Sequence, residues 1–459
     1  MKGRKREPVP HRGITGFFCS GFFFSPLTLL LFSAVILLTP ALFPAPVLAT
    51  EAPDAGGADA VEIVEFDGVE EEVVVTAARL PLRQAETPGL TIVVDREAIR
   101  QSTGKNLSTL IVEAGFPVSA SGGDFAQASV QLGGFSANQS LVLFNGVPVN
   151  PGPVGEVDLS LFPAAVLARV EISRGPLSPL YGANAMGGVV NIETALSGEE
   201  RSGFFLGGGS FNSGEMDLFL KRERWGLAAG GGSSAGYRPN SDAKKTYLSG
   251  EYSFRPAGKD NDRLVLQGHF LTKDAGIPGM ISSPSGGRQS DQRFILNLSG
   301  KNQTAKNLWE YRIFTQSWDN RYKSEFGADR HRVEGHGAEL SGRREAGNHI
   351  LLAGISLAYD DFSSTKSGQN NRSHGGVFLQ DLWTLRRGLV LLTGLRWDVS
   401  SDYGAALSPR VNLIKNLTKN LSIKAGYGRA FRPPTVNELY WHEDYGNPDW
   451  NMFGNPDLR

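Results

Sequence analysis

From about Arg201 the chain breaks into segments of about ten residues in which apolar and polar positions alternate, separated by clusters of Gly, Asn, Asp, Ser or Pro. Leu389, Leu391, Leu395, Trp397 and Val399 share one face of such a segment, and Arg396 and Asp398 share the other. Leu421, Ile423, Ala425 and Tyr427 alternate with Ser422, Lys424, Gly426 and Gly428 in the same way. Met216, Leu218 and Leu220 alternate with Asp217, Phe219 and Lys221, and Trp309, Tyr311 and Ile313 with Glu310 and Arg312. A period of two over many segments, with charges on the second face and aromatics near segment ends, predicts the strands of an outer-membrane β-barrel. Soluble sandwiches and propellers alternate too, but their strands are usually shorter, and no blade-length repeat is visible.

About thirteen such strands fit between Arg201 and Ala430, whereas single-chain bacterial barrels close with an even number. The sequence runs out through Gly454-Asn455-Pro456-Asp457 without a final amphipathic strand, so the barrel is expected to be incomplete, because an open edge in lipid is costly. Arg222-Glu223-Arg224 and Arg386-Arg387-Gly388 read as short periplasmic turns. Tyr237–Lys245, Lys273–Ser290 and Phe362–Arg372 read as long outer loops.

Upstream the texture is different. β-Branched runs at Val73–Thr76, Thr91–Val94, Leu141–Phe144, Arg169–Ile172 and Val189–Ile192 surround one helical pattern over Arg96–Glu113. That helix places Ile99, Leu107, Leu110 and Ile111 on one face behind Asp95 as its cap. The spacing predicts a compact α+β domain over residues 78–197, followed by the partial barrel over 201–459.

Residues 1–49 carry Lys2, Arg4, Lys5, Arg6 and Arg12, then an apolar stretch from Ile14 to Leu38, then Val47-Leu48-Ala49. This is the pattern of an export signal cut after Ala49; an uncleaved membrane anchor is the rival reading, since the apolar stretch is long enough to span. Residues 50–71 are acidic and small and read as a disordered periplasmic leader. The single cysteine, Cys19, lies in the signal, so the exported chain has no disulfide, cysteine nucleophile or thiolate metal site. The 46 Lys plus Arg against 47 Asp plus Glu exclude a global basic field, and with it an electrostatic footprint for nucleic acid. Gly, at 56 of 459 residues, has no triplet period and fits a turn-rich β-protein. Nucleophile elbows, phosphate-cradling loops and paired zinc motifs are absent, so neither enzymatic chemistry nor a cofactor is expected. The metal state stays unknown: His331 and His336 are spaced too widely for a metal pair, and Lys273–Asp291 holds only Asp274 and Asp291 as carboxylates.

Three segments carry a recognisable order: Glu72-Val73-Val74-Val75-Thr76-Ala77 after the leader, Leu141 to Asn150, and Arg169 to Ile192 with Leu180-Tyr181-Gly182 and Gly187-Gly188-Val189-Val190. With Tyr427-Gly428-Arg429-Ala430-Phe431-Arg432-Pro433-Pro434 and Asn437-Glu438-Leu439, the chain resembles the TonB-dependent outer-membrane receptors. In wording and spacing it is most similar to the vitamin B12 (cobalamin) receptor group. The resemblance implies a mainly β protein with an N-terminal α+β plug inside a transmembrane antiparallel β-barrel of 22 strands in the outer membrane of a Gram-negative cell. It implies a monomer that imports a large scarce nutrient, cobalamin first and ferric siderophore or haem as the alternative, driven by TonB and its inner-membrane energising complex. A non-transporting surface adhesin or docking barrel is the reading from another class.

The resemblance makes Glu72, Val73, Val74, Val75, Thr76 and Ala77 the box that pairs with TonB. Three consecutive valines suit strand addition to a partner's sheet edge, and proline there should break it. By the same resemblance the ligand sits on outward plug loops, here Ser121, Gly122, Gly123 and Asp124, and Asn150, Pro151, Gly152, Pro153 and Val154. Arg169 and Arg174 would face the barrel. Gly133 stands where the family usually has Arg, and Asn145 where it usually has Asp, which puts part of the plug's charge cluster in doubt.

Overall fold

The computed structural model describes residues 73–458, apart from 84–85, 103–105, 124, 198–199, 256–261, 326, 419–420, 445, 447 and 450. The export signal, the leader, Glu72 and Asp124 therefore lie outside the described residues.

The first described segment is a two-residue strand, β1 (Val73–Val74), paired antiparallel with β2 (Leu82–Arg83). Then come β3 (Thr91–Val94), β4 (Val118–Ala120), β5 (Ala128–Val130), β6 (Ser140–Phe144), β7 (Val147–Pro148), β8 (Leu167–Arg174) and β9 (Gly188–Thr194). Five of them form one mixed sheet in the order β3-β8-β9-β6-β7, in which only β6 and β9 run parallel. β4 and β5 form a separate hairpin. All five residues of β6 are buried, which is why its run of Leu, Val and Phe shows no alternation.

The single helix expected over Arg96–Glu113 is two helices, α1 (Arg96–Gln101) and α2 (Leu107–Glu113). Asp95 does cap α1, accepting from the Ala98 amide at 2.7 Å. The break arises because Asn106 starts a second helix: its side chain accepts from Thr109 N while Leu107 N donates to Phe162 O, a tertiary bond that a continuous helix would forfeit. Ile99, Leu107, Leu110 and Ile111 remain on the buried side.

A 13-stranded antiparallel sheet follows in strict sequence order. Its strands are β10 (Arg201–Gly209), β11 (Ser213–Lys221), β12 (Trp225–Ser234), β13 (Ala243–Phe254), β14 (Arg263–Met280), β15 (Ser283–Gln303) and β16 (Asn307–Ser324). They continue as β17 (Gly327–Ala346), β18 (His349–Ser364), β19 (Gly368–Arg386), β20 (Leu389–Ser400), β21 (Gly404–Asn416) and β22 (Ser422–Gly428). Among the described residues no helix is long and apolar enough to cross a membrane.

This sheet is apolar outside and charged inside. Met216 and Leu218 are 61% and 50% exposed, while Asp217 between them is 4% exposed. On β20, Trp397 and Val399 face out, and Arg396 and Asp398 are buried as an ion pair at 2.8 Å. A water-soluble sheet would bury the other face. The alternation is that of a lipid-facing barrel wall around a polar lumen.

The N-terminal domain packs against the inner face of this sheet. Ala228 of β12, Tyr247 of β13, Leu271 of β14 and Ile295 of β15 join the core built on Leu110, Phe144, Phe162, Val170 and Ile192. On another sector, Leu352, Phe378, Leu382 and Leu392 close over Ala78, Leu80 and Leu82. The sheet thus wraps the small domain from two sides.

Two of the expected outer loops are mostly strand. β14 and β15 continue through Lys273–Ser290 to a turn at 281–282, and β18 and β19 leave only residues 365–367 between them. Gly, Ser and charged residues crowd both hairpins and break the alternation of apolar and polar positions, which erases the hydropathy signal while the main-chain ladder continues. About ten tilted residues cross the hydrocarbon core, so strands of 18 to 21 residues project well beyond it.

The plug also holds a short helix, α3 (Ser178–Tyr181), and beyond β22 the chain turns back over the plug as a second short helix, α4 (Val436–Tyr440). Thr435 and Glu438 form a capping box on α4.

Candidate functional site

The segment after β1 is held by backbone bonds rather than by side-chain packing alone. Thr76 N donates to the Glu171 carboxylate at 2.7 Å and Val75 N donates to it at 3.1 Å. Glu171 sits in β8, is fully buried, and receives a third bond from Arg169 Nε at 2.7 Å. The carbonyls are satisfied as well: Tyr181 donates its hydroxyl to Thr76 O at 2.9 Å, Gln380 Nε2 donates to Ala78 O at 2.7 Å, and Arg410 Nη1 donates to Ala77 O at 3.3 Å. Arg79, at a left-handed φ of 53°, pairs with Glu339 of β17 at 2.8 Å and lies 4.4 Å over the Tyr181 ring.

Of the six residues expected to form the coupling box, Val73 and Val74 are in β1, Val75 is 41% exposed, and Thr76 and Ala77 are completely buried. The segment is docked, and among the described residues its extended part is Val73–Val74. Burial pushes the Tyr181 phenol up to about 12, so it stays a donor at every ordinary pH. Burial, then the Glu171 charge, raises the neighbouring Glu193.

The two expected ligand loops differ. Ser121, Gly122 and Gly123 are half-buried in the connection between β4 and β5, beside Tyr237 and Arg238 of the loop between β12 and β13; Arg238 Nη2 donates to Ser121 O at 3.3 Å. Phe125 anchors that connection, its buried ring lying 4.6 Å from the Lys245 ammonium. In the second loop Asn150 is a clasp: its Oδ1 accepts from Val142 N at 2.8 Å and its Nδ2 donates to Ser140 O and Gly155 O. Pro151 and Pro153 are buried, and α4 covers the loop, with Val436 N donating to Gly152 O and Asn437 N to Pro153 O. Only Val154 reaches solvent appreciably, at 36%.

Arg169 acts within the plug through Glu171, whereas Arg174 is exposed and lines a groove against β22. Further contacts cross between plug and sheet through residues the sequence did not assign to that interface. Lys273 pairs with Asp158, Arg293 donates to Val149 O at 2.8 Å, Arg396 donates to Leu180 O, and Glu251 accepts from Ser197 N at 3.2 Å. Alternation marks these side chains as inward-facing, but not which plug group each one meets. Asn145 bonds Thr194 through both amide atoms and contacts His269 at 3.2 Å, and its φ of 51° suits Asn. Gly133 has a φ of 64°, a conformation that favours glycine over the Arg usual there. Between the outer ends of β13, β14 and β15, Arg288 pairs with both Asp242 and Asp274. Among the described residues no cluster of three potential metal ligands occurs.

Comparison with known proteins accords with this geometry. Residues 83–189 match the TonB-dependent receptor plug domain, and residues 196–459 match the TonB-dependent receptor-like β-barrel. The chain belongs to the TonB-dependent receptor family, a family of outer-membrane receptors of Gram-negative cells and not of enzymes. It is 25% identical over 415 residues to the vitamin B12 transporter BtuB of Photobacterium profundum, covering 82% of this chain and 64% of that one. It is also 25% identical over 457 residues to an iron-regulated outer membrane virulence protein of Vibrio cholerae, covering 85% and 64%. It thus spans about 64% of the length of these relatives. Among solved structures it resembles a mutant of the ferric enterobactin receptor PfeA of Pseudomonas aeruginosa, with a TM-score of 0.63 at 19% identity, covering 80% of this chain and 65% of that one. The siderophore receptor PirA of the same organism gives 0.61 at 20%, covering 80% and 69%. At these identities the likeness shows the fold.

Proposed function

We propose that the complete protein is a TonB-dependent importer whose plug sits in a closed 22-stranded barrel, and that its cargo is an iron chelate, a ferric siderophore or haem. The observation that carries the transport reading is the docking of residues 75–79: backbone amides and carbonyls that a partner's sheet edge would need are tied to Glu171, Tyr181, Gln380 and Arg410. A segment held by a handful of bonds, ahead of a plug in an inside-out sheet, suits a handle that is pulled from the periplasm. Glu72 to Ala77 are the residues that TonB would grip, with its inner-membrane complex supplying the energy.

The cargo rests on chemistry the relatives' names suggest. Cobalamin, which the plug wording favours, is supported by the Photobacterium transporter; iron is supported by the Vibrio protein and by the ferric enterobactin and siderophore receptors. Ser121 to Gly123, half-buried beside Tyr237 and Arg238, form the contact surface we assign to the cargo, whereas Asn150 to Val154 would need α4 to move first. The test is equilibrium binding of ferric catecholates, ferric hydroxamates, haem and cyanocobalamin to the full-length receptor in detergent. Binding of an iron chelate with cobalamin silent is the expected result; the reverse returns the cargo to cobalamin.

A further inference from the structure

The short turns at one end of the large sheet are strongly basic, and backbone bonds knit them side by side. Glu345 N donates to Lys306 O at 2.9 Å, Thr384 N to Asn348 O at 2.8 Å, and Asn416 N to Gly388 O at 2.8 Å. The turns that follow β15, β17 and β19 and the end of β21 thus form one continuous ledge. Lys306, Arg344, Arg386, Arg387 and Lys415 stand on it. Among the described residues none of these cations has an ion-pair partner. The carboxylates beside them are engaged elsewhere, Glu345 with Arg343 at 3.7 Å and Asp381 with His349 at 2.8 Å. A Cβ placed on Gly388 would lie 3.9 Å from the Lys415 ammonium, which therefore joins the Arg386-Arg387 pair.

At the opposite ends of these and neighbouring strands the cations are matched. Arg288 pairs with Asp242 and Asp274, Arg321 and Arg330 share Asp319, and Arg332 pairs with Glu334. Unmatched like charges held close together repel, and an anion from outside the chain offsets that repulsion. The lipid-facing apolar surface begins where the ledge ends. Arg344 is the ladder partner of Leu351, from which Ala353, Ile355 and Leu357 continue exposed along β18. Lys415 is the ladder partner of Leu389. Trp309, Trp383 and Leu385 are exposed beside them, and the Trp383 ring stacks on His349 at 5.1 Å. Tryptophan at the edge of an apolar belt marks the level of a membrane–water interface.

We infer that the ledge is a binding site for an anionic phospholipid of the inner leaflet. A phosphatidylglycerol-type phosphodiester lies among Arg344, Arg386, Arg387 and Lys415, and its acyl chains run along Leu351, Trp383 and Leu385. Free phosphate meets the same cations but gains nothing from the apolar edge, and a zwitterionic headgroup brings a cation of its own into the cluster, so both bind more weakly. The docked segment lies on the other side of this wall, where Leu352, Leu382 and Leu392 pack against Ala78, Leu80 and Leu82. That this end meets the periplasm, and hence the inner leaflet, rests on the import reading above; the recognition of an anionic lipid does not.

The test titrates the full-length receptor, in mixed micelles of neutral detergent, with phosphatidylglycerol and separately with phosphatidylcholine of the same chains, and reads bound lipid by native mass spectrometry. The variant is Arg386→Gln with Arg387→Gln, and the control is Arg321→Gln with Arg330→Gln at the opposite end. Each Lys or Arg near an anionic surface is worth about fivefold in affinity, so the variant should bind phosphatidylglycerol about 25-fold more weakly. Its phosphatidylcholine binding, heat-modifiable migration and cargo binding should match the parent's, and the control should keep the parent's affinity for phosphatidylglycerol. Should the double variant fail to assemble, Lys415→Gln serves instead, with a loss of about fivefold. Equal affinity of the parent for the two lipids, or an equal loss in the control, overturns the site. Displacement of phosphatidylglycerol by an equimolar amount of inorganic phosphate overturns it too, by showing an anion site without lipid recognition. A receptor that shows the lipid selectivity but never accumulates its cargo would defeat the import reading and leave the lipid site standing.

Discussion

At the scale of the residue, Glu171 has the clearest structural task. A carboxylate buried in β8 has desolvation to offset, and it does so by accepting from two backbone amides of the docked segment and from Arg169. Hydrogen bonds to a charged group contribute roughly 1.5–3 kcal/mol each, so Glu171→Ala should raise the opening constant of residues 75–77 by at least about tenfold. The measurement is the labelling rate of Thr76→Cys, a completely buried position, with and without the Glu171 change. An unchanged rate would mean that Gln380, Arg410 and Tyr181 hold the segment unaided. This clasp was invisible in the sequence, where Glu171 is one charge in a β-prone run. Its partners in the docked segment lie 95 and 96 positions away, and local patterning has no reach over that distance. Three valines at 73–75 did mark the segment, but propensity gives a strand's capacity to pair, not its state of docking.

Among the elements, the strands of the large sheet were legible because one face meets lipid and the other meets the plug, which writes an alternation into every segment. The longer strands β14–β19 were legible only over the span that crosses the membrane. Above it Gly, Pro, Ser and charged residues break the alternation, and the hairpins read as loops. The split between α1 and α2 was hidden for another reason: Asn106 caps on a tertiary cue, the Phe162 carbonyl. The helix α4, though part of a motif the sequence displayed, gave no sign that it would cover Asn150 to Val154. Its hold on that loop depends on the capping box, in which Thr435 Oγ1 accepts from Glu438 N at 3.2 Å and Glu438 accepts from Thr435 N at 2.8 Å. Replacing a capping threonine by alanine costs about 1 kcal/mol. Thr435→Ala should therefore speed hydrogen exchange at the Val436 and Asn437 amides about fivefold. Protection unchanged at both amides would show that the helix is held by packing of Val436 alone.

For the whole molecule, the reversal of inside and outside is the property from which the rest follows. Leu395, 47% exposed near the middle of β20, faces the lipid, and its neighbour Arg396 is buried against Asp398. An arginine on the lipid face near the bilayer midplane costs roughly 2–4 kcal/mol, so Leu395→Arg should cut the fraction of full-length receptor that runs as a folded, heat-modifiable barrel. On a soluble sheet the same exposed leucine would accept arginine without loss, and full assembly would contradict the membrane assignment. The plug packs against the inner face of that wall, and the docked segment is what the proposed pull from the periplasm would release. The most direct measurement of this account is accumulation of a labelled ferric siderophore by cells that produce the full-length receptor, compared with its Val74→Pro variant. The account expects equal binding by both and accumulation by the parent alone, lost also when the inner membrane is de-energised. Equal accumulation by the proline variant would contradict it.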